Sequence, residues 1–530
     1  KTVTASQTFT AEKSNGSVTV DFSFDSYGLA GKTLVVYETL TDASGSKLAE
    51  HKDKDDVSQQ VTVLKPEIGT TATDKADGDK NVVSEPEATI TDTVRYVNLT
   101  PGKTYKVTGT LYEKVKGKDG KVTEKKFTVN GKDVTAETEF TAEKSSGEVE
   151  VTFTFDASAI KDGTELVAFE TVSSDGHEIC AHADIEDEGQ TVTVTKPEVG
   201  TTATDGFDGD KNVVADTDAT VTDTVHYKNL TPGQTYKVTG TLYQKVTDKD
   251  GKVTKKKLTV DGKDVTAETE FTAETSDGDA TVTFKFDASG IKDKTPLVAF
   301  ESLSYKDKEL CAHADIEDED QTVTVNQPSV GTTATDKLDG DKTVIADAES
   351  SVTDEVAYDH VLTGKSYTMA GILMDAKTGL PVLTGEGAKK FTEDDLVKFT
   401  TGLLDVLGFK SDSDEDGIDW SAVKSLPTAS IDLSKVTAYA EVNKELLSCL
   451  VYQTAEFTPE KESGSIDMDY TFNSNDVIDR LSGETKNLVV FEVMFKGSIE
   501  NASDETPVSI VASECDKDNE GQTVKLAPST

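Results

Sequence analysis

Residues 166–192 read LVAFETVSSDGHEICAHADIEDEGQTV. An apolar run ends in Glu170, a histidine follows at 182, and a glutamine comes eight residues later at 190. The same frame recurs with Glu301, His313 and Gln321, and near the start of the chain with Glu38, His51 and Gln59. A fourth copy has Glu492 and Gln522 but carries Glu514 at the histidine position. An acid closing a buried strand, a base and a side-chain amide in fixed register point to chemistry as well as packing.

On either side of these copies, Thr70, Thr201 and Thr332 stand 131 residues apart. A period that long marks a string of whole domains, not a solenoid, and 530 residues exceed what one core holds. Boundaries fall at Lys65-Pro66, Lys196-Pro197 and Gln327-Pro328, giving units 1–64, 65–195, 196–326 and 327–530. Joints of about four residues, stiffened by proline, predict a rod with limited bending. Thr4 aligns with Thr135, so the first unit reads as the C-terminal half of a domain and the chain as a fragment of something longer.

Strand signals fill the units. GEVEVTFTF (147–155) alternates apolar and polar residues, and SVTVDFSF (17–24), ATVTFKF (280–286) and SIDMDYTF (465–472) repeat it. Pro101-Gly102, Asp119-Gly120 and Asn130-Gly131 mark turns. With about seven short strands per unit and no amphipathic helix in units two and three, the expectation is all-β: tandem immunoglobulin-like sandwiches.

The fourth unit runs 190 residues from Thr332 to Gln522, against 120 from Thr70 to Gln190, which implies an insertion at about 381–452. It holds one clear helical pattern. Thr392 and Asp395 form a capping box, Leu396, Phe399, Leu403 and Leu407 an apolar face, and Gly408 a stop. This helix covers the side of its own sandwich or presents an adhesive surface. Beyond it, Asp412, Asp414, Asp416 and Gly417 follow the pattern of a calcium loop, so Ca2+ at 412–419 is a candidate. Val423 stands where such a loop needs a bidentate glutamate, and an acidic solvated loop is the bland alternative. No other cofactor is implied.

Acidic residues number 99 and basic ones 54, a net charge of −45 that repels nucleic acid and anionic lipid. No apolar run is long enough to span a membrane, and no signal peptide or anchoring tail is evident. Four cysteines make no disulfide framework. Cys180 and Cys311 occupy equivalent places in different units. Cys449 and Cys515 share the last unit and either pair or act as small buried apolar residues.

Each first strand reads GTTATD, and alternation places Thr70 with Ala72 on the core face. A second strand carries Asp92, matched by Asp223 and Asp354. Glu170 shares a face with Leu166 and Ala168 and is expected to be buried. No lysine or arginine is expected at a fixed place beside it, so it should be protonated or share a proton, with Asp92 as partner. Singly, these are surface histidines and hydrogen-bonded acids. Five residue types recurring together argue for a built site.

The motifs GTTATD, TDTVRYVNLTPG, LVAFE and AHADIEDEGQTV at 70–192, with their counterparts at 201–323, resemble the T-Q ester-bond domains, or VaFE repeats, of Gram-positive surface proteins. The resemblance covers nearly the whole chain. It implies intramolecular esters Thr70–Gln190 and Thr201–Gln321, with helper roles for Asp92, Glu170 and His182 and for Asp223, Glu301 and His313. The fourth unit has Thr332, Asp354, Glu492 and Gln522, but Glu514 puts its Thr332–Gln522 bond in doubt. Gln59, with Glu38 and His51, has no threonine partner in this chain. The resemblance further implies an extracellular, cell-wall-attached stalk of an adhesin or fibre whose partners are neighbouring domains of the longer chain and a surface ligand of unknown identity. Each unit would react once on itself, so no turnover enzyme is expected. Three rivals stay open: ligand binding by the insertion, an enzyme with an accessible cleft, and Lys–Asn isopeptide domains, whose E-x-x-A-P-x-G-Y signature is not found.

Overall fold

The computed structural model describes residues 2–409, 418–420, 423–426, 428–480, 485–503 and 506–529. In unit two, strands Glu67–Asp74, Ala88–Val97 and Gly147–Phe155 form a three-stranded antiparallel sheet with Ala88–Val97 in the middle. A seven-stranded sheet faces it, built on Thr104–Lys116 and Thr164–Ser174. The last strand, Thr191–Thr195, joins this larger sheet beside Thr164–Ser174, and Asn81–Val83 adds to it in parallel. Valine- and threonine-rich segments suit such pleated, half-buried surfaces. Their inward residues, among them Ile90, Val94, Leu111, Val151, Phe153, Leu166 and Ala168, make one core between the sheets. Unit three repeats the two sheets and the core.

Bare backbone at one position shapes the core beside Glu170. Gly109 lies opposite that glutamate in the larger sheet. A Cβ there would meet the Phe153 ring at 2.5 Å, and Gly240 stands in the same relation to Phe284. Only a glycine lets that ring cross the sandwich and wall off the space beside the acid.

The first unit departs from the sequence reading. Residues 17–24 form no strand and are largely exposed. Their counterpart, 147–155, pairs with 88–97, whereas among the described residues no strand pairs with 17–24. Two hairpin-like pairs remain, Thr33–Val35 with Gln60–Thr62 and Glu38–Thr41 with Lys47–His51.

Unit four has the same two sheets, centred on Ser350–Asp359 and on Lys486–Lys496. Helix α1, Glu393–Val406, has the expected capping box between Thr392 and Asp395, and Gly408 follows its end with φ +87°. It is not the only helix: α2 (Leu433–Val442), α3 (Lys444–Leu447) and α4 (Ser474–Arg480) accompany it. They are short, and α2 buries no residue fully, so their periodicity is weak. Leu404 of α1 packs with Phe491, Phe495 and Ile510 on the outer face of the larger sheet. Leu396 and Phe399 pack with Leu380, Leu383 and Leu446. The insertion therefore covers its own sandwich. Cys449 and Cys515 are free thiols in these two separate clusters, so they do not pair. No helix among the described residues is long and apolar enough to cross a membrane.

Candidate functional site

The register of unit two assembles the recurring residues from both sheets. On the smaller sheet Ala72 lies opposite Asp92, one step from Thr70 and facing the core with it. On the larger sheet Glu170 sits between Gly109 on one side and His182 on the other. Gln190 ends the 3-10 turn Glu188–Gln190 just before the last strand. Thr70, Asp92, Glu170 and Gln190 are all buried, as are Thr201, Asp223, Glu301 and Gln321 in unit three.

Gln190 Nε2 donates to Glu170 Oε2 at 3.0 Å. In unit three Gln321 Nε2 donates to Glu301 Oε2 at 3.1 Å and to Thr201 Oγ1 at 2.8 Å. The threonine hydroxyl and the glutamine amide thus touch across the junction of first and last strands. Burial, reinforced by the neighbouring Asp92, pushes the Glu170 carboxyl up to about 10. Glu301 rises to about 10 for the same reasons, with Asp223 beside it. Asp92 and Asp223 are also raised by burial, and the hydrogen bond from the glutamate pulls each the other way. Two carboxyls facing each other out of water hold one proton between them. The amide oxygens Gln190 Oε1 and Gln321 Oε1 are buried without a partner, which is where a shared proton finds an acceptor as negative charge develops.

Two groups escaped the sequence reading. Lys80 Nζ donates to the carbonyls of Ala72 at 2.5 Å and Gly189 at 2.7 Å, clamping the first strand to the glutamine turn. Lys211 and Lys342 make the same two bonds in units three and four. A cation therefore does recur beside the acid pair, contrary to expectation, and its charge favours ionisation of Asp92. Its sequence signal is the run DGDK at 77–80, 208–211 and 339–342, which repeats at the same 131-residue period. The second group is Asp187. One of its oxygens accepts from the Gly189 amide at 2.7 Å, and the other pairs with His182 Nε2 at 2.8 Å. The other ring nitrogen of His182 faces the Ile68 carbonyl at 3.3 Å. His313 has the same neighbours in Asp318 and Val199. Neither histidine has a hydrogen bond to its threonine.

In unit four, Gln522 Nε2 donates to Glu492 Oε2 at 2.7 Å, and Asp354, Glu492 and Gln522 are fully buried. Burial and Asp354 push Glu492 far above the usual carboxylate range. Glu514 lies opposite Glu492 where His182 lies opposite Glu170, and its carboxylate turns back to the Asp516 amide at 3.2 Å. Asn519 replaces Asp187 as the cap of the turn, accepting from Gly521 N at 2.9 Å. Tyr470 replaces Phe153, and its buried hydroxyl has no partner. In unit one Gln59 Nε2 donates to Glu38 Oε2 at 2.7 Å and His51 pairs with Asp56 at 3.0 Å, with Glu38 and His51 exposed and Asp56 and Gln59 half-buried.

A family model described as "T-Q ester bond containing domain" matches residues 1–63, 66–194, 197–325, 328–415 and 432–526. The chain belongs to this family. Among solved structures, a bacterial adhesin from Mobiluncus mulieris containing intramolecular disulfide, isopeptide and ester bond cross-links is 20% identical, with a TM-score of 0.20 over 53% of this chain and 90% of that one. A tetra-tandem repeat from the extending region of a large adhesion protein is 12% identical, with a TM-score of 0.21 over 93% of this chain and 83% of that one. No curated protein matches the sequence.

In units two and three the buried threonine and glutamine enclosed with two acids are Thr70 and Gln190 and Thr201 and Gln321. Asp412, Asp414 and Asp416, the candidate calcium ligands, lie outside the described residues. Among the described residues, Asp208, Asp210 and Glu462 bring carboxyl oxygens within 4.8 Å of one another where units three and four meet. Burial, followed by the two aspartates, pushes Glu462 up to about 7.

Proposed function

We propose that units two and three each convert their T-Q pair into an ester, and that the chain serves as the extracellular stalk of a Gram-positive, cell-wall-attached adhesin or fibre. The observation that carries this reading is the buried contact between Thr201 Oγ1 and the Gln321 amide, 2.8 Å apart beside the Asp223–Glu301 pair. The threonine oxygen attacks the glutamine Cδ. The new Oγ–Cδ bond replaces the Cδ–Nε2 bond, and the threonine proton leaves with the amide nitrogen as ammonia. The shared proton of the acid pair steadies the amide oxygen, and the pair's remaining basic oxygen takes the threonine proton. Asp187 and Asp318 hold the glutamine turn and the histidine together, so His182 and His313 act as positioning residues in this scheme, which departs from a histidine base. The exclusion of water keeps the acyl product from hydrolysing.

Such a bond joins the strands by which the chain enters and leaves each unit, so tension passes along a covalent link. Closing a loop of about 120 residues stabilises the fold by roughly 5 kcal/mol on the chain-entropy account. Each unit reacts once, on itself, and is no enzyme in the turnover sense. Partners are the neighbouring domains. Ligand recognition by the unit-four insertion is the second reading, drawn from α2, which leaves Val442 exposed.

The reading is tested by alkali. Intact protein treated with mild base should regain one water for each ester it loses, and Lys–Asn isopeptide links would survive that treatment unchanged.

A further inference from the structure

At the joint between units two and three, Glu85 is buried and its two carboxylate oxygens accept from the next unit. Thr231 Oγ1 donates at 2.9 Å and Tyr236 OH at 3.0 Å. Lys306 pairs with Glu87, and Lys308 reaches Ser158 and, at 3.4 Å, Asp156. At the next joint Asp216, the counterpart of Glu85, is buried and paired with Lys496, while Lys365 lies over the Phe207 ring at 5.9 Å.

Two residues before these acids, Val83 and Val214 are only 6% and 4% exposed, yet neither belongs to its own unit's core. Their neighbours Val82, Val213 and Ala215 do. Strand alternation puts 83 with 85 and 214 with 216 on the outward face. At 85 and 216 the following unit covers that face.

In unit four the inward residues Val344 and Ala346 are buried as before, but Ile345 is 54% exposed and Asp347 is exposed as well. Leu338, the counterpart of Phe207, is 92% exposed. The exit of the chain lies at the same place in units two, three and four. Ala346 N donates to Ala527 O at 2.8 Å, as Ser84 N does to Thr195 O and Ala215 N to Asn326 O. Anything joined to the last strand therefore begins beside this face.

We propose that Ile345, Asp347 and Leu338 form an open half-joint that receives the threonine–tyrosine corner of a further sandwich of this kind, joined in line after the last strand. The chemistry of the occupant follows from the two joints already made. A carboxylate taken out of water needs hydroxyl or ammonium donors, and the flanking aliphatic side chains need an apolar cover. The corner Thr231/Tyr236 supplies the first kind of donor and Lys496 the second.

The test is hydroxyl-radical footprinting of the 530-residue chain against two extended chains. In these, residues 1–527 continue into a second copy of 196–326 or of 65–195, whose corner is Thr100 and Tyr105. In the parent chain Ile345 and Leu338 should be labelled readily and Val83 and Val214 hardly at all. In the extended chains labelling of Ile345 should fall to the level of Val83, and Asp347→Ala should raise it again. Phe284 or Phe153 in the duplicated unit should stay as protected as in the parent, which certifies that the added unit is folded. Equal labelling of Ile345 in the parent and in both extended chains would overturn the proposal.

Discussion

At the scale of single residues, the site is a balance between burial and one retained proton. Glu170 is held to about 10 in the folded unit by burial and by Asp92, whereas an unfolded glutamate titrates near 4.3. The folded form thus binds a proton that the unfolded form releases, and stability falls as pH rises from the unfolded value towards 10. The cross-link would mask this, so the fitting background is Thr70→Ala, in which no ester can form in unit two. Its melting temperature should drop steadily between pH 5 and pH 9, and Glu170→Gln in the same background should flatten that slope. A slope that is unchanged would mean the glutamate is ionised in place. Unit four makes the complementary case. Glu514 and Asn519 replace a histidine–aspartate pair as a set, so restoring one alone leaves the new group without its partner. Glu514→His combined with Asn519→Asp should bring about the loss of ammonia from unit four, faster than Glu514→His alone. Peptide mass mapping of Thr332 and Gln522 reads the result, and a complete cross-link in the unaltered chain would show the pair to be dispensable.

At the scale of elements, the clamp from the half-buried lysine of the DGDK turn should matter to the reaction. Lys80 bonds carbonyls on both the first strand and the glutamine turn. Lys80→Met should slow ester formation in unit two by about tenfold or more, the cost of losing a fixed geometry between reacting groups, while unit three proceeds normally as an internal control. Equal rates in the two units would remove the clamp from the mechanism. This lysine also shows what the sequence concealed. Alternation exposed the strands, and the shared face of Leu166, Ala168 and Glu170 foretold a buried acid, because period-two burial is local. Lys80 acts across 109 residues on backbone carbonyls, which carry no side-chain signature. Asp187 was overlooked because it stands in an acidic run, DIEDE, where a cap and a solvated charge look alike. The reading of 17–24 as a strand failed for a related reason: a strand needs a partner, and its alternation alone does not supply one. Helices α2 to α4 were too short for a 3.6-residue period to stand out.

At the scale of the whole molecule, units two, three and four are sandwiches tied at their two joints by the buried acids Glu85 and Asp216. The joint between units three and four carries its own pH dependence. Glu462, pushed up to about 7 by burial and by Asp210 and Asp208, is best accommodated when protonated. Its raised value means that docking is favoured at low pH and weakens as pH rises through about 7, the reverse of a salt-bridged carboxylate. Amide exchange across 208–210 and 460–464 should be faster at pH 8 than at pH 6 after correction for intrinsic rates, and Glu462→Gln should remove the difference. The central claim concerns the T-Q pairs themselves, and the intact mass of the purified 530-residue chain tests it most directly. The expected mass lies below that of the sequence by two ammonia molecules, with both deficits abolished in Thr70→Ala/Thr201→Ala; a chain that weighs its full sequence mass would contradict the claim.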